Sequence, residues 1–441
     1  GYGLNPDAIR ELHSQGVKLL ISTDCGIRAV EEVQLAKELG MDVIITDHHS
    51  PGTELPNADV IVNPKQAGDA YPEKNLAGVG VAYKLIEKLG EDTQIQAESF
   101  LDLVAIGTVA DMVPLVGENR ILVREGLRQM RSPHRQGLMS LMGVAGVKPD
   151  NVTSTDIGFR LGPRINAAGR MSSARSALDL LLEDDLMKAG QLAQELEILN
   201  RNRQAATRSF KDQVMEQVIE GADIPPVIFA FSPDFHQGVV GLVASNLLGQ
   251  YYRPAIVGVK QGALTTASCR SIFEFNIIKA LDQCEDLLVR HGGHAAAAGF
   301  TIENENIPAF RERMTQIAED EFEDKNLCPT LLADAEVELA DLDKNLLEYL
   351  SWLEPTGYGN PQATFVCRGV KPKSSRRIGK DKSHLKLEVT DGKYSVDAIA
   401  FKQGAWADAM PAEIDILFTF GVNEFRGRVT LQLNIEDIKA S

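Results

Sequence analysis

Two short apolar runs, each ending in an acidic residue, constrain the first third of this chain more than any other feature. VKLLIST (17–23) leads into Asp24, and MDVIITD (41–47) ends in Asp47 followed by His48 and His49. Between them RAVEEVQLAKELG (28–40) carries apolar positions at helical spacing and closes on Gly40. Strand, helix and strand joined this closely predict a parallel β-α-β unit. Strands that are apolar almost throughout are what a parallel sheet covered on both faces needs. ADVIVNP (58–64) reads as a third strand, with helices over 76–90 and 98–110 packed on the sheet. Ligands of such sheets collect beyond the carboxyl ends of the strands, so Asp24 and the Asp47-His48-His49 run are expected to face one crevice.

Further along, residues 183–220 hold a helical pattern without Pro and with a single Gly, Gly190, the texture of a connecting helix. After Pro225-Pro226, alternating strand-like and helix-like segments predict a second α/β domain to about residue 325. From about 330 the chain turns to short strands separated by turn residues, as in a small OB-like barrel. Arg376, Arg377, Lys380 and Lys382 lie there beside Phe365, Tyr394, Phe401 and Phe425, and a cationic groove with aromatic platforms suits single-stranded nucleic acid. Removing residues 330–441 is therefore expected to weaken strand binding while leaving the chemistry intact.

The 62 acidic and 45 basic residues give a formal charge of −17, which excludes coating nucleic acid through bulk charge. Basic residues are clustered nonetheless, at Arg120, Arg124, Arg128, Arg131 and Arg135 and again through Arg160, Arg164, Arg170, Arg175, Arg201, Arg203 and Arg208. The five cysteines are widely spaced and form no C-x-x-C pair, so neither a disulfide framework nor a zinc cluster is expected. No apolar run approaches the roughly 18 residues of a membrane span, and GYGLNPDAIR lacks a signal pattern. A cytoplasmic protein without membrane attachment is expected.

Carboxylate and imidazole side chains at strand ends point to a divalent cation such as manganese, magnesium or zinc. Alternation along an extended strand would place His48 and His49 on opposite sides, one on the metal and the other on phosphate. Asp47 suits the task of holding a histidine N–H. Asp111 follows an apolar helix, and a carboxylate there is costly unless capped, paired or metal-bound. In HGGHAAAAGF (291–300), two glycines before a run of alanines predict a helix start able to take a phosphate, with His294 as a donor.

Taken in order and spacing, TDCGI, TDHH, ADMVPL and GGHAAAAG resemble the DHH phosphoesterase superfamily with its DHH-associated domain. FRLGPRINAAGR (159–170), FHQGVVGLVAS (235–245), SCRS (268–271) and EPTGYGNPQATF (354–365) are similar to the RecJ branch, so the resemblance spans essentially the whole chain. It implies an α/β fold with a parallel-sheet DHH domain over 1–182, a connecting helix over 183–222, a second α/β DHH-associated domain over 223–328 and an OB-like β-barrel over 329–441. It further implies a metal-dependent 5′-to-3′ exonuclease acting on single-stranded DNA in repair and recombination, with two divalent cations, manganese preferred and magnesium as the alternative. Carried over, Asp24, His48 and Asp111 are metal ligands, Asp24 bridging the pair. His49 touches the scissile phosphate and Asp47 orients a histidine. Arg164, Asn166, Arg170, His236, Ser245, Arg270, Ser271, Gly292, Gly293 and His294 grip the strand. A monomer working beside single-strand-binding protein and a helicase completes the expectation.

The family's early strand ending in Asp-x-Asp has no counterpart before Asp24, because Asp7 falls at a helix start. The expectation is either a fragment or a chain lacking half its metal site, in both cases nearly inactive as given. Two other readings compete: an oligoribonuclease or cyclic-dinucleotide phosphodiesterase, and a non-catalytic DHH relative serving as a replication scaffold.

Overall fold

In the computed structural model, which describes residues 3–218, 224–425 and 427–441, strands β1 (Leu19–Thr23), β2 (Asp42–Thr46) and β3 (Val60–Val62) form a parallel sheet in that order. Thr23 pairs with Thr46, and Thr46 with Val62, so the residues that follow all three strands emerge at one end. One face is closed by the helices Pro6–Ser14 and Val30–Glu38, whose Ile9, Val33 and Ala36 bury Met41, Val43 and Ile45. Asn5 starts the first helix by accepting the Ala8 N–H at 2.9 Å, with Pro6 in the first turn. The expected full cover holds for β2 but not for β1. As an edge strand, β1 leaves Leu19 47 % and Ile21 52 % exposed.

Helices Gly78–Gly90, Leu101–Ala110 and Gly117–Met130 build a second core beside the sheet around Leu76, Val81, Val104 and Leu122. The connecting helix is observed over Leu186–Val218; residues 219–222 of the expected span lie outside the described ones. Its buried Ala189, Ala193, Leu196 and Asn200 recur every three or four residues, one stripe of an amphipathic helix. Among the described residues no helix is long and apolar enough to cross a membrane.

Strands β4 (Ile228–Ser232), β5 (Ala255–Gln261), β6 (Leu264–Arg270), β7 (Leu288–His294) and β8 (Ala297–Glu303) form a mixed sheet in the order β4-β5-β6-β8-β7. The segment HGGHAAAAGF is not a helix start. It is the antiparallel β7–β8 hairpin, with Gly292 opposite Gly299 and Gly293 opposite Ala298. The preference of alanine for helix yields here to close strand packing: at Gly293, φ +150°, a Cβ would fall 2.4 Å from the Ala298 Cα.

Strands β9 (Ala335–Glu336), β10 (Thr364–Ile378), β11 (His384–Thr390), β12 (Ser395–Ala400), β13 (Ile414–Phe425) and β14 (Arg428–Ala440) follow the order β11-β12-β14-β13-β10-β9, and pairing of β10 with β11 closes five of them on themselves. Phe365 and Phe418 fill the interior of this OB-like domain.

The chain packs as two units. Gly1–Ser132, Asp150–Gly158 and Leu331–Ser441 make one, Pro133–Pro149 and Phe159–Thr330 the other. The closed sheet thus shares a unit with the parallel sheet. Helices Gln136–Ala145, Gly162–Met171 and Arg175–Leu182, assigned to the first domain in the sequence reading, pack on the long helix instead, because their apolar faces cover its stripe.

Phe310 is fully buried between the rings of Phe229 and Phe300. Phe310→Ala should destabilise the second unit by about 3–5 kcal/mol. Urea unfolding measures the loss, and a change within experimental error would contradict this packing.

Candidate metal centre

Because Thr23, Thr46 and Val62 are in register, the residues just beyond them meet. His48 Nε2 lies 3.1 Å from Asp24 Oδ1 and 3.4 Å from Asp111 Oδ2. Asp111 arrives from a third direction, at the carboxyl end of the helix Leu101–Ala110, where it caps no helix N-terminus. The His48 side chain is 7 % exposed, and its Nε2 faces the Asp24 and Asp111 carboxylates together. A buried imidazole nitrogen within reach of two carboxylates from separate segments has the geometry of co-ligands aimed at a common point. Oxygen and imidazole donors at this spacing fit a divalent cation of the manganese or magnesium type.

One ring nitrogen of His49 joins the group, its ligand atom lying with those of Asp24 and His48 within 4.8 Å of one another. The expected opposite-side arrangement fails because β2 stops at Thr46, so strand alternation no longer governs residues 47–49. The two histidine rings sit 4.5 Å apart, tilted by 60°.

Asp47 organises this turn. Buried to 1 % exposure, it accepts the Ile27 N–H at 3.0 Å, the His48 N–H at 2.7 Å and the His49 N–H at 3.2 Å, and contacts His49 Nδ1 at 2.7 Å. Burial alone would raise its pKa, but these donors hold the carboxyl below its usual range. An ionised Asp47 keeps a proton on His49 Nδ1, which makes Nε2 the basic nitrogen. Burial likewise pulls His48 down, and the Asp24 and Asp111 carboxylates outweigh it, leaving the imidazole above its ordinary pKa. Burial and the Asp24 charge raise Asp111, with His48 opposing.

Two neighbouring features carry strain. Asp24 itself, φ 64°, and Met112, φ 61°, occupy the left-handed region, which non-glycine residues adopt at a cost. The helix Gly78–Gly90 begins so close to Asp24 that a Cβ on Gly78 would sit 2.3 Å from Oδ1. Sequence reasoning missed Asn63, the residue after β3. Its Nδ2 donates to the His49 carbonyl at 2.9 Å. The signal was its position, equivalent to Asp24 and Asp47 on their strands.

The residues assigned to the strand lie in the second unit. On the helix Gly162–Met171, Asn166 and Arg170 are exposed, whereas Arg164 is held by buried Glu197 at 2.7 Å and by the Arg160 carbonyl at 2.6 Å. His236 begins the helix Gln237–Tyr251 and accepts the Gly238 N–H at 3.1 Å. Arg170 donates to the Gly238 carbonyl at 3.2 Å, and the Arg270 guanidinium lies 3.1 Å from where a Cβ on Gly241 would stand. Burial, aided by the charge of Arg170, lowers the pKa of Arg203; burial and Arg170 also lower Arg270, so three cations share one neighbourhood. Arg203, fixed by buried Asn200 at 2.8 Å, was legible only as one member of a basic crowd. Arg270 and His294 both pair with Ala297, from β6 and β7. Gly292 and Gly293 are exposed beside His294; exposed Ser245 bonds the Gly241 carbonyl, while Ser271 is buried and bonds the Phe275 carbonyl. In the closed sheet Tyr394 and Phe401 are 51 % and 57 % exposed, Phe365 is core, and the side chain of Phe425 lies outside the described residues.

Comparison with known proteins matches residues 3–108 to the DHH family N-terminal domain, 225–320 to the DHHA1 domain and 333–437 to the RecJ OB domain. The single-stranded-DNA-specific exonuclease RecJ of Bacillus subtilis is 38 % identical over all of this chain, which spans 56 % of that relative. The RecJ of Haemophilus influenzae is 35 % identical, again over the whole chain and 80 % of the relative. The crystal structure of RecJ in complex with Mn2+ from Thermus thermophilus superposes with a TM-score of 0.87 at 32 % identity, covering 99 % of this chain and 64 % of that one.

Ligands bind metal deprotonated, so cations and protons compete for this site. Since the folded His48 pKa is raised, the competing imidazolium persists above the ordinary value of 6.5. Manganese affinity should therefore climb between about pH 6 and about pH 8.5, with proton release visible as a buffer-dependent binding enthalpy. In the metal-free protein the same shift stabilises the fold below the ordinary imidazole pKa and is lost as pH rises through the folded one. Titration calorimetry at the two pH values decides, and a flat affinity would remove His48 from the ligand set.

Proposed function

Because this chain belongs to the RecJ family of DHH phosphoesterases, we propose that it is a divalent-metal-dependent exonuclease that hydrolyses phosphodiester bonds of single-stranded DNA from the 5′ end, in cytoplasmic DNA repair and recombination. The convergence of Asp24, His48 and Asp111 from three separate segments carries the proposal. When bound, divalent cations polarise phosphate oxygens and lower the pKa of water. Asp24 and Asp111 supply oxygen and His48 supplies neutral imidazole nitrogen. The family resemblance would have Asp24 shared by two cations, manganese preferred over magnesium; the mixed donor set and the manganese-bound and magnesium-bound relatives support a divalent cation as such.

With Nδ1 held on Asp47, His49 in its protonated form would donate from Nε2 to the scissile phosphate. Arg170, Arg203 and Arg270 neutralise backbone phosphates further along, with Asn166, His236 and His294 as polar contacts. Such local charge suffices in a protein whose net charge is −17. Arg376, Lys380 and Lys382 with exposed Tyr394 and Phe401 give the OB domain a cationic strip and stacking faces. That domain supports long strands over the dinucleotides of the oligoribonuclease reading, and the presence of Asp24, His48, His49 and Asp111 opposes a scaffold without chemistry, a reading that the missing Asp-x-Asp favours. The proposed partners are single-stranded DNA, single-strand-binding protein and a helicase, the enzyme acting as a monomer.

On a 5′-labelled single strand with manganese, Asp111→Asn should slow hydrolysis at least about 100-fold, roughly 3 kcal/mol, and chelator should stop it. Hydrolysis at full rate in chelator would exclude the metal mechanism. Arg270→Ala should weaken strand binding about 10- to 100-fold, the worth of one charged hydrogen bond, while manganese affinity stays the same. Unchanged strand affinity would take Arg270 out of the substrate channel.

A further inference from the structure

One motif has found no role in the site: EPTGYGNP (354–361), which precedes the closed sheet. It lies against the loop that carries Asp111. The Leu115 N–H donates to the Tyr358 carbonyl at 2.7 Å. A Cβ on Gly357 would fall 2.7 Å from the Leu115 Cδ1, and one on Gly359, φ +73°, would fall 2.9 Å from the Pro114 Cβ. At Gly359 a side chain would press on the Pro114 ring and backbone, and at Gly357 it would displace the end of the Leu115 side chain. The motif is itself rigid: Asn360 Nδ2 donates to the carbonyls of Leu353 at 3.0 Å and Pro355 at 2.9 Å, and Ser154 Oγ holds the Thr356 carbonyl at 2.6 Å.

The start of the helix Gly117–Met130 ties this loop to the rest of the site. Arg120 donates to the carbonyls of Trp352 at 2.9 Å and Leu353 at 3.3 Å. Next to it, fully buried Asn119 donates to the carbonyls of Pro114 at 3.2 Å and Asn75 at 2.6 Å. Asn75 stands three residues before Gly78, the residue that abuts Asp24. Two candidate ligands, Asp24 and Asp111, are therefore referenced to one another through Asn119, and the Asp111 loop is clamped from outside by the motif. Met112 keeps its unfavourable φ of 61° between these fixed points.

We propose that the EPTGYGNP loop, locked by Arg120, is a positioning element for Asp111 that makes metal affinity in the parallel-sheet domain depend on the OB domain. The proposal rests on the reading of Asp24, His48 and Asp111 as metal ligands. It also revises the sequence expectation for residues 330–441: their removal takes away this brace and so reaches the chemistry as well as the strand grip.

The test is calorimetric titration of the full chain with Mn2+ alone, beside metal-free thermal unfolding, for Gly357→Ala, Arg120→Gln, Asp111→Asn and Val389→Ala. Val389 is fully buried in the closed sheet and away from the motif, so its variant reports general destabilisation. Gly357→Ala and Arg120→Gln should weaken manganese binding about tenfold, the usual effect of disturbing the support of a ligand, and higher manganese should restore their nuclease rate. Val389→Ala should lower the melting temperature with Kd unchanged. If Gly357→Ala does not fold, Arg120→Gln carries the test. Weakened binding in Asp111→Asn with unchanged Kd in both brace variants overturns the positioning role, as does equal weakening by Val389→Ala. Unchanged Kd in Asp111→Asn would defeat the metal reading itself and the brace with it.

Discussion

Apart from Asp111, which a helix end supplies, the site descends from the register of three parallel strands. Pairing Thr23 with Thr46 and Thr46 with Val62 sets the next residues of each strand side by side, and those residues are Asp24, Asp47-His48-His49 and Asn63. A parallel sheet delivers such neighbours without any local sequence proximity, at the cost of burying polar groups at its end. Asp47 shows how that cost is met. With three backbone N–H groups and an imidazole as partners, a carboxylate at 1 % exposure stays ionised, and one buried charge fixes both the turn and the histidine it carries. His48 faces a different surrounding: its Nε2 stands between the Asp24 and Asp111 carboxylates, 3.1 Å and 3.4 Å away, where one divalent cation could replace the shared proton.

Much of this was legible in the sequence, for identifiable reasons. Continuous apolar runs located β1 and β2 to within two residues, and the uninterrupted pattern after Glu183 located the long helix. Asp24, the Asp47-His48-His49 run and Asp111 stood out because each follows an apolar element, while the choice of Asp24, His48 and Asp111 as ligands came from the family resemblance. What failed was local reasoning about segments governed from afar. The alanines after His294 favour a helix in isolation, but strand pairing with β6 and β7 overrides them. Alternation misplaced His49 because it presumed a strand beyond Thr46.

The rest was invisible because its contacts bridge great separations. Arg120 and Trp352 are joined across 232 residues, Ser154 and Thr356 across 202. No periodicity or composition announces such pairs. They nevertheless place the closed sheet and the parallel sheet in one unit, with the segment before the closed sheet bonded to the loop that follows Asp111.

The central claim is that Asp24, His48 and Asp111 hold one cation together. An anomalous difference map from crystals of this chain soaked in manganese tests it most directly. The account predicts a peak about 2.0–2.3 Å from a carboxylate oxygen of Asp24, Nε2 of His48 and a carboxylate oxygen of Asp111. Manganese bound elsewhere, or a peak that His48 does not touch, would contradict it.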